Sequence, residues 1–188
     1  MRLATIMDKQ RIVDIISKSF DQNNSVNYVV KQDKKRKKRL RLLIEYSIYQ
    51  GMEFGKVFIS KDQNAACILL FPFKKKTTWS SAIWDAKLVL MVIGIQRVNA
   101  VMKREKLLKK NHPKESFYHL WYIGVDPEYQ NKGTGSELLD KVLESYNDKP
   151  VYLETSVVSN LRWYQRFGFE IIETIDLGYN LYVLKKSN

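Results

Sequence analysis

Between residues 117 and 146 the chain passes from "FYHLWYIGV", through a polar turn holding Gly133-Thr134-Gly135, into "TGSELLDKVLESY". No other feature limits the fold so closely. The first stretch is short and almost wholly apolar, as a buried strand requires. The last places Leu138, Leu139, Val142, Leu143 and Tyr146 on one side of a helix that must pack against a sheet. "PVYLET" then reads as a strand and "NLRWYQRF" as a short helix. "FEIIETIDL" and "YNLYVLKK" are two closing strands about a "GY" turn.

The first half is less regular. Residues 7–19 put Ile12, Val13, Ile15 and Ile16 on one broad helical face, with Asp8 as the expected N-cap. A second helix is expected over 34–51. "EFGKVFIS" and "AACILLFP" read as paired strands joined by the turn "KDQN". One long helix is expected over 79–110, with Trp79, Ile83, Leu88, Met91, Ile95, Val98 and Met102 along its stripe and Asn111-His112-Pro113 ending it. Helices and strands so interleaved, with a strand–turn–helix–strand–helix–strand centre, predict an α/β or α+β sandwich with one mixed sheet. The length, 188 residues, suits a single domain, 1–188, without internal repeats or linkers.

A single cysteine, Cys67, excludes an internal disulfide and a multi-cysteine zinc site. It lies in an apolar strand, where packing is the expected role. "MRLATIMDKQ" does not read as a signal peptide, and "LVLMVIGI" (88–95) is far short of the roughly 20 residues that span a bilayer. The expectation is a soluble cytoplasmic protein that does not enter membranes. The formal charge is +12, and "KQDKKRKKRLR" (31–41) holds eight of the 32 basic residues. Such a run meets polyanions or forms a solvated helix face. Leu40, Leu42, Leu43 and Ile44 follow at once, which favours the helix. The run is neither arginine–glycine repeated nor interleaved with aromatics, as a dedicated nucleic-acid surface would be.

Gly133 and Gly135 flank the start of a helix whose first amides lack partners and carry partial positive charge. With Lys132 beside it, the turn suits a phosphate or pyrophosphate. It is not a Walker loop, and Leu138 stands where a dinucleotide fingerprint needs a small third residue. The context is more specific. Val125-Asp126-Pro127, Gln130-Asn131-Lys132-Gly133-Thr134-Gly135 with its helix, and then Tyr164 and Gly168-Phe169 form a spaced set. In this the sequence resembles the GNAT superfamily of N-acetyltransferases, most densely over 117–177. Asn131 departs from the glycine many members carry, but Asn tolerates positive φ.

The resemblance implies a GNAT-like, mostly antiparallel central sheet flanked by helices. It also implies acetyl-CoA as co-substrate, with no metal. The pantetheine arm would pair with backbone near Ile123, Gly124 and Val125, the pyrophosphate resting on the amides of 131–136, including Ser136. Gly124 would suit a bulge or a close backbone approach. Gln130 belongs to the same turn. Asn160 would either bond the pantetheine or cap its helix. Acetyl would pass directly to a primary amine, with Tyr164 as general acid and a backbone N–H near Val125 receiving the oxyanion.

His119 matches a position where some relatives place a catalytic histidine. Alternation would put 119, 121, 123 and 125 on one face. Glu154 or a water chain are rival bases, and His112 reads as loop chemistry. Phe117, Trp121 and Tyr122 either line an acceptor pocket or fill the core. The acceptor is a small-molecule or peptide amine, and the high positive charge makes a polycation a poor match. The protein would be a monomer or a homodimer, with 88–95 serving a dimer or the core. Two other readings remain open at this level. One is a non-catalytic acyl-CoA-binding or regulatory domain of the same fold, and the other is a basic nucleic-acid-associated protein.

Overall fold

The computed structural model describes residues 1–188. The amphipathic N-terminal segment forms helix α1 (Lys9–Ser19), entered by a short 3-10 turn. Asp8 stands at the N-cap position of α1, as expected, but its side chain makes no cap bond there. Its carboxylate accepts from the Thr5 backbone N–H at 2.8 Å and from both arms of the Arg2 guanidinium. It therefore closes the turn before the helix, because Arg2 competes for the side chain the cap would need. A short helix α2 (Asn24–Val29) follows, which the composition of 20–35 did not reveal. Asn23 caps it by accepting from the Val26 amide. Helix α3 (Arg36–Phe54) then delivers the chain to the hairpin of β2 (Gly55–Ile59) and β3 (Ala65–Leu70).

The expected long helix over 79–110 is two helices. Helix α4 (Trp79–Leu88) loosens into a π turn over Val89–Ile93, and Gly94 at φ +81 breaks the axis before α5 (Val98–Asn111). Arg97 holds the break by donating to the backbone carbonyls of Val30 and Tyr28 at 2.7 and 2.5 Å. The change of axis also undoes the inward stripe. Trp79, Ile83, Met91, Ile95 and Met102 face solvent, whereas Val92, Ile93, Val101 and Leu108 are buried. No helix is long and apolar enough to cross a membrane.

Strand β4 (Tyr118–Val125), helix α6 (Thr134–Ser145), strand β5 (Val151–Thr155), helix α7 (Leu161–Gln165) and strands β6 (Glu170–Asp176) and β7 (Asn180–Lys186) complete the chain. With β1 (Arg2–Leu3) they make one seven-stranded sheet in the order β1-β2-β3-β4-β5-β7-β6. Every pairing is antiparallel except β4 with β5. One face carries α1 and α3 over Ile12, Ile16, Ile44, Ile48, Ile68 and their neighbours. The other carries α6 over Leu69, Leu120, Leu139, Leu153 and Phe169. Cys67 is wholly buried on this second face, and burial pushes its thiol up, away from reactivity. The mixed, mostly antiparallel sheet flanked by helices is the architecture expected.

Two features of β4 position the site. Ile68 pairs with Tyr122 but Leu69 pairs with Leu120, so Trp121 is an extra residue. This bulge overturns the expected alternation. His119 and Trp121 lie on the α1 face, whereas Ile123 and Val125 pack on the α6 face. The second feature is a split. The parallel pairing with β5 extends only over Tyr118–Val151 and His119–Tyr152. Beyond His119 the two strands part, and β4 has no ladder partner on that side.

Candidate functional site

The split opens a cleft of about 670 Å³ between the free edge of β4, the start of α6 and helix α7. Its lining includes Ile123, Gly124 and Val125 from the strand, and Gln130, Asn131, Gly133, Thr134, Gly135 and Ser136 from the turn. Asn160 and Tyr164 complete it from α7. Residues distant in sequence thus meet on one surface. Lys132 is the exception. It is exposed, with its ammonium 5.0 Å from the Tyr129 ring centroid, and it does not line the cleft. Arg166 supplies the cleft's positive side chain instead, and the neutral amides of Gln22 and Asn23 also line it; sequence reasoning singled out none of the three.

The turn is shaped by two left-handed residues, Asn131 at φ +62 and Gly133 at φ +84. Gly133 stands at the N-cap of α6, and the first-turn amides of the helix have no acceptor within it. The cleft therefore ends in a cradle of N–H groups. Trp163 donates to Ser136 Oγ at 2.9 Å and so binds α7 to that first turn. Gly124 marks no bulge. A β-carbon there would lie 2.4 Å from Ser19 Oγ, so the glycine admits the end of α1 against the strand.

Asp126 fixes the other side of the turn. It is buried, accepts from Arg11 at 2.7 Å and lies 3.4 Å from the Lys18 ammonium. Burial alone would raise its carboxyl. The Arg11 and Lys18 contacts outweigh that and hold it below the ordinary range. The Val-Asp-Pro sequence thus anchors the end of β4 to α1.

Tyr164 is buried beneath the cleft, packed edge-on against Phe169, and burial pushes its phenol up. A phenol so placed is held neutral and can give a proton only to a strongly basic atom beside it. Asn160 sits at the N-cap of α7 without making a side-chain cap bond, which leaves its amide available to the cleft.

His119 does not line the cleft. On the α1 face it bonds through Nε2 to Glu154 Oε2 at 2.8 Å, and His112 Nε2 lies 3.0 Å from the other oxygen of the same carboxylate. All three side chains are nearly buried. The two imidazoles hold Glu154 well below the carboxylate range despite its burial. Glu154 in turn raises His119 against the desolvation that would lower it. His112 is therefore part of a buried ionic cluster, not the loop residue its "NHP" setting suggests, because α5 ends beside β5. The three ligand-type atoms lie within 4.8 Å of one another. The charge of Arg104 acts on both Glu154 and His119.

The basic run is largely structural. Arg36 pairs with Asp21 at 2.6 Å, Arg39 with Asp33 at 2.7 Å and Arg41 with Asp14 at 2.6 Å. Its lysines supply the solvated face.

A GNAT acetyltransferase domain family model matches residues 87–171. An uncharacterised N-acetyltransferase of Schizosaccharomyces pombe is 27% identical over 151 residues, which is 75% of this chain, and the chain spans 61% of that relative's length. Among solved structures, one from Corynebacterium glutamicum, described as histone acetyltransferase HPA2 and related acetyltransferase, superposes with a TM-score of 0.72 at 19% identity. It covers 99% of this chain and 94% of its own. Naa50 of Arabidopsis thaliana, in complex with a bisubstrate analogue of CoA, superposes at 0.52 and 17% identity over 100% and 97% of the two chains. At these identities the structures attest the fold. The family match over the cleft and the yeast relative make the chain similar to the GNAT N-acetyltransferases over this region.

Proposed function

We propose that the whole chain, 1–188, is one acetyltransferase domain that moves acetyl from acetyl-CoA to a primary amine by direct attack. The observation that carries this is the convergence, in one cleft, of an unpaired strand edge, a helix N-terminus and a buried phenol. An extended pantetheine arm pairs with a free strand edge as an added strand would. The first-turn amides of α6 suit its pyrophosphate, and Arg166 lies close enough to add charge. Naa50 was solved with a bisubstrate analogue of CoA, and its shared fold supports the same mode here.

In this reading the backbone N–H near Val125 receives the oxyanion as the amine nitrogen bonds the carbonyl carbon. The C–S bond then breaks, and Tyr164 gives its proton to the leaving sulfur. The proton lost by the nitrogen returns through solvent to the phenolate. His119, outside the cofactor cleft at the last β4–β5 pair before the split, serves as the base that first frees the amine. The acceptor is a small amine or a peptide amine.

Steady-state turnover with acetyl-CoA tests the reading, using phenethylamine, lysine and a peptide with a free N-terminus as acceptors. Thiol release should require both substrates, and Tyr164→Phe should lower kcat by about 10²-fold or more with little change in acetyl-CoA affinity. Acetyl-CoA binding without turnover of any amine would favour a non-catalytic acyl-CoA-binding domain.

A further inference from the structure

The carboxylate of Glu154 is shared by the only two histidines of the chain, from two different segments. His119 comes from β4, one pair before the strands part, and Glu154 from β5. His112 comes from the residue after α5. Both imidazoles address the carboxylate through Nε2, so each Nε2 serves as the donor to an ionised Glu154. That leaves the His119 Nδ1 lone pair as the basic position. A buried carboxylate bonded this way fixes the ring and its tautomer and stabilises the imidazolium.

We propose that Glu154 and His112 are positioning residues that set the strength of His119 as the base in acetyl transfer. This rests on the acetyltransferase reading above. His119 Nδ1 takes one proton from the substrate ammonium, and the freed lone pair forms the N–C bond. The Nε2–H of the resulting imidazolium remains on Glu154, and the proton later leaves from Nδ1 to solvent. His112 donates to the second oxygen of Glu154 and so draws off part of the negative charge available to His119.

The other groups bearing on the trio are Arg104 and Glu105 from α5, whose charges act on His119. Arg104 donates to Ser25 at 2.7 Å and to Glu105, so its position is fixed. Phe117 and Tyr152 pack on the His112 ring. That packing makes His112→Phe a clean probe, since it keeps a ring in place and removes only the donor.

The opposing effects of two variants make the test. With only two histidines to assign, ¹⁵N-detected NMR follows each imidazole as pH is varied, and kcat/KM is measured over the same range with the three amines named above. Glu154→Gln should lower the His119 titration by about one unit or more and shift the acidic limb of kcat/KM down with it. His112→Phe should move both upward, because Glu154 then serves His119 alone. KM for acetyl-CoA should change in neither. A merely structural cluster predicts lost stability with an unshifted limb. Turnover whose limb ignores both variants, or moves the same way in both, overturns the proposal and leaves acetyl transfer standing. Absence of turnover with every amine in the wild type overturns both together, whatever the imidazoles do.

Discussion

A β-carbon added to Gly135 would stand 2.9 Å from Val125 Cγ2, closer than side chains pack. The first turn of α6 is thus pressed onto the end of β4, and these are two walls of the cleft. Gly133, two residues earlier, has open space around it but is held at φ +84. The two glycines of the motif are needed for different reasons, one for contact and one for backbone conformation. Gly133→Ala should cost roughly 1–2 kcal/mol and Gly133→Asn much less, because Asn enters the left-handed region readily. Gly135→Ala should displace Val125 and weaken acetyl-CoA binding. Urea midpoints and calorimetry check these, and equal losses for Ala and Asn at 133 would contradict the account.

Asp126 makes stability depend on pH in a defined window. Its folded carboxyl is depressed below the ordinary 3.8, so its contribution is complete above that value and is lost as pH falls through the folded one. The melting temperatures of wild type and Asp126→Asn should differ most near neutrality. The gap should close below about pH 4. A gap that stays constant with pH would contradict this.

The basic run divides into anchoring arginines and solvated lysines. Arg36 donates to the Asp21 carboxylate and carbonyl and to Asn27, tying α3 to the α1–α2 connection. Arg36→Ala should cost about 2 kcal/mol, the scale for a charged, part-buried network. Lys37→Ala should fall within about 0.5 kcal/mol of wild type. Thermal melts decide between them, and equal effects would contradict the division.

Cys67 should not react with a thiol-specific disulfide reagent in the folded protein, because it is fully buried and its thiolate is disfavoured. Labelling should appear only with the unfolding transition in urea. Rapid labelling of the native protein would contradict its place in the core.

The elements of the second half were legible because each carries its own period, from "TGSELLDKVLESY" to the closing strands. The turn residues were legible too, since Gly133 and Asn131 announce positive φ. What was hidden depends on contacts between distant segments. The bulge at Trp121 leaves the pattern of a strand intact while reversing which face follows. The break at Gly94 was masked by apolar spacings that fit one helix, although the glycine itself was the available signal. His112 and Glu154 lie 42 residues apart and meet only because the end of α5 packs beside β5.

The account stands most directly on whether the α6 turn holds the pyrophosphate of acetyl-CoA. Calorimetric titration of the wild type and of Thr134→Asp measures this. Aspartate at the first residue of α6 favours the helix dipole, so the variant should melt no lower than the wild type. Its carboxylate nonetheless sits in the cradle. The account predicts micromolar binding by the wild type and a loss of about tenfold or more, some 1.4 kcal/mol, in the variant. A folded wild type that does not bind, or a variant that binds as tightly, would contradict it.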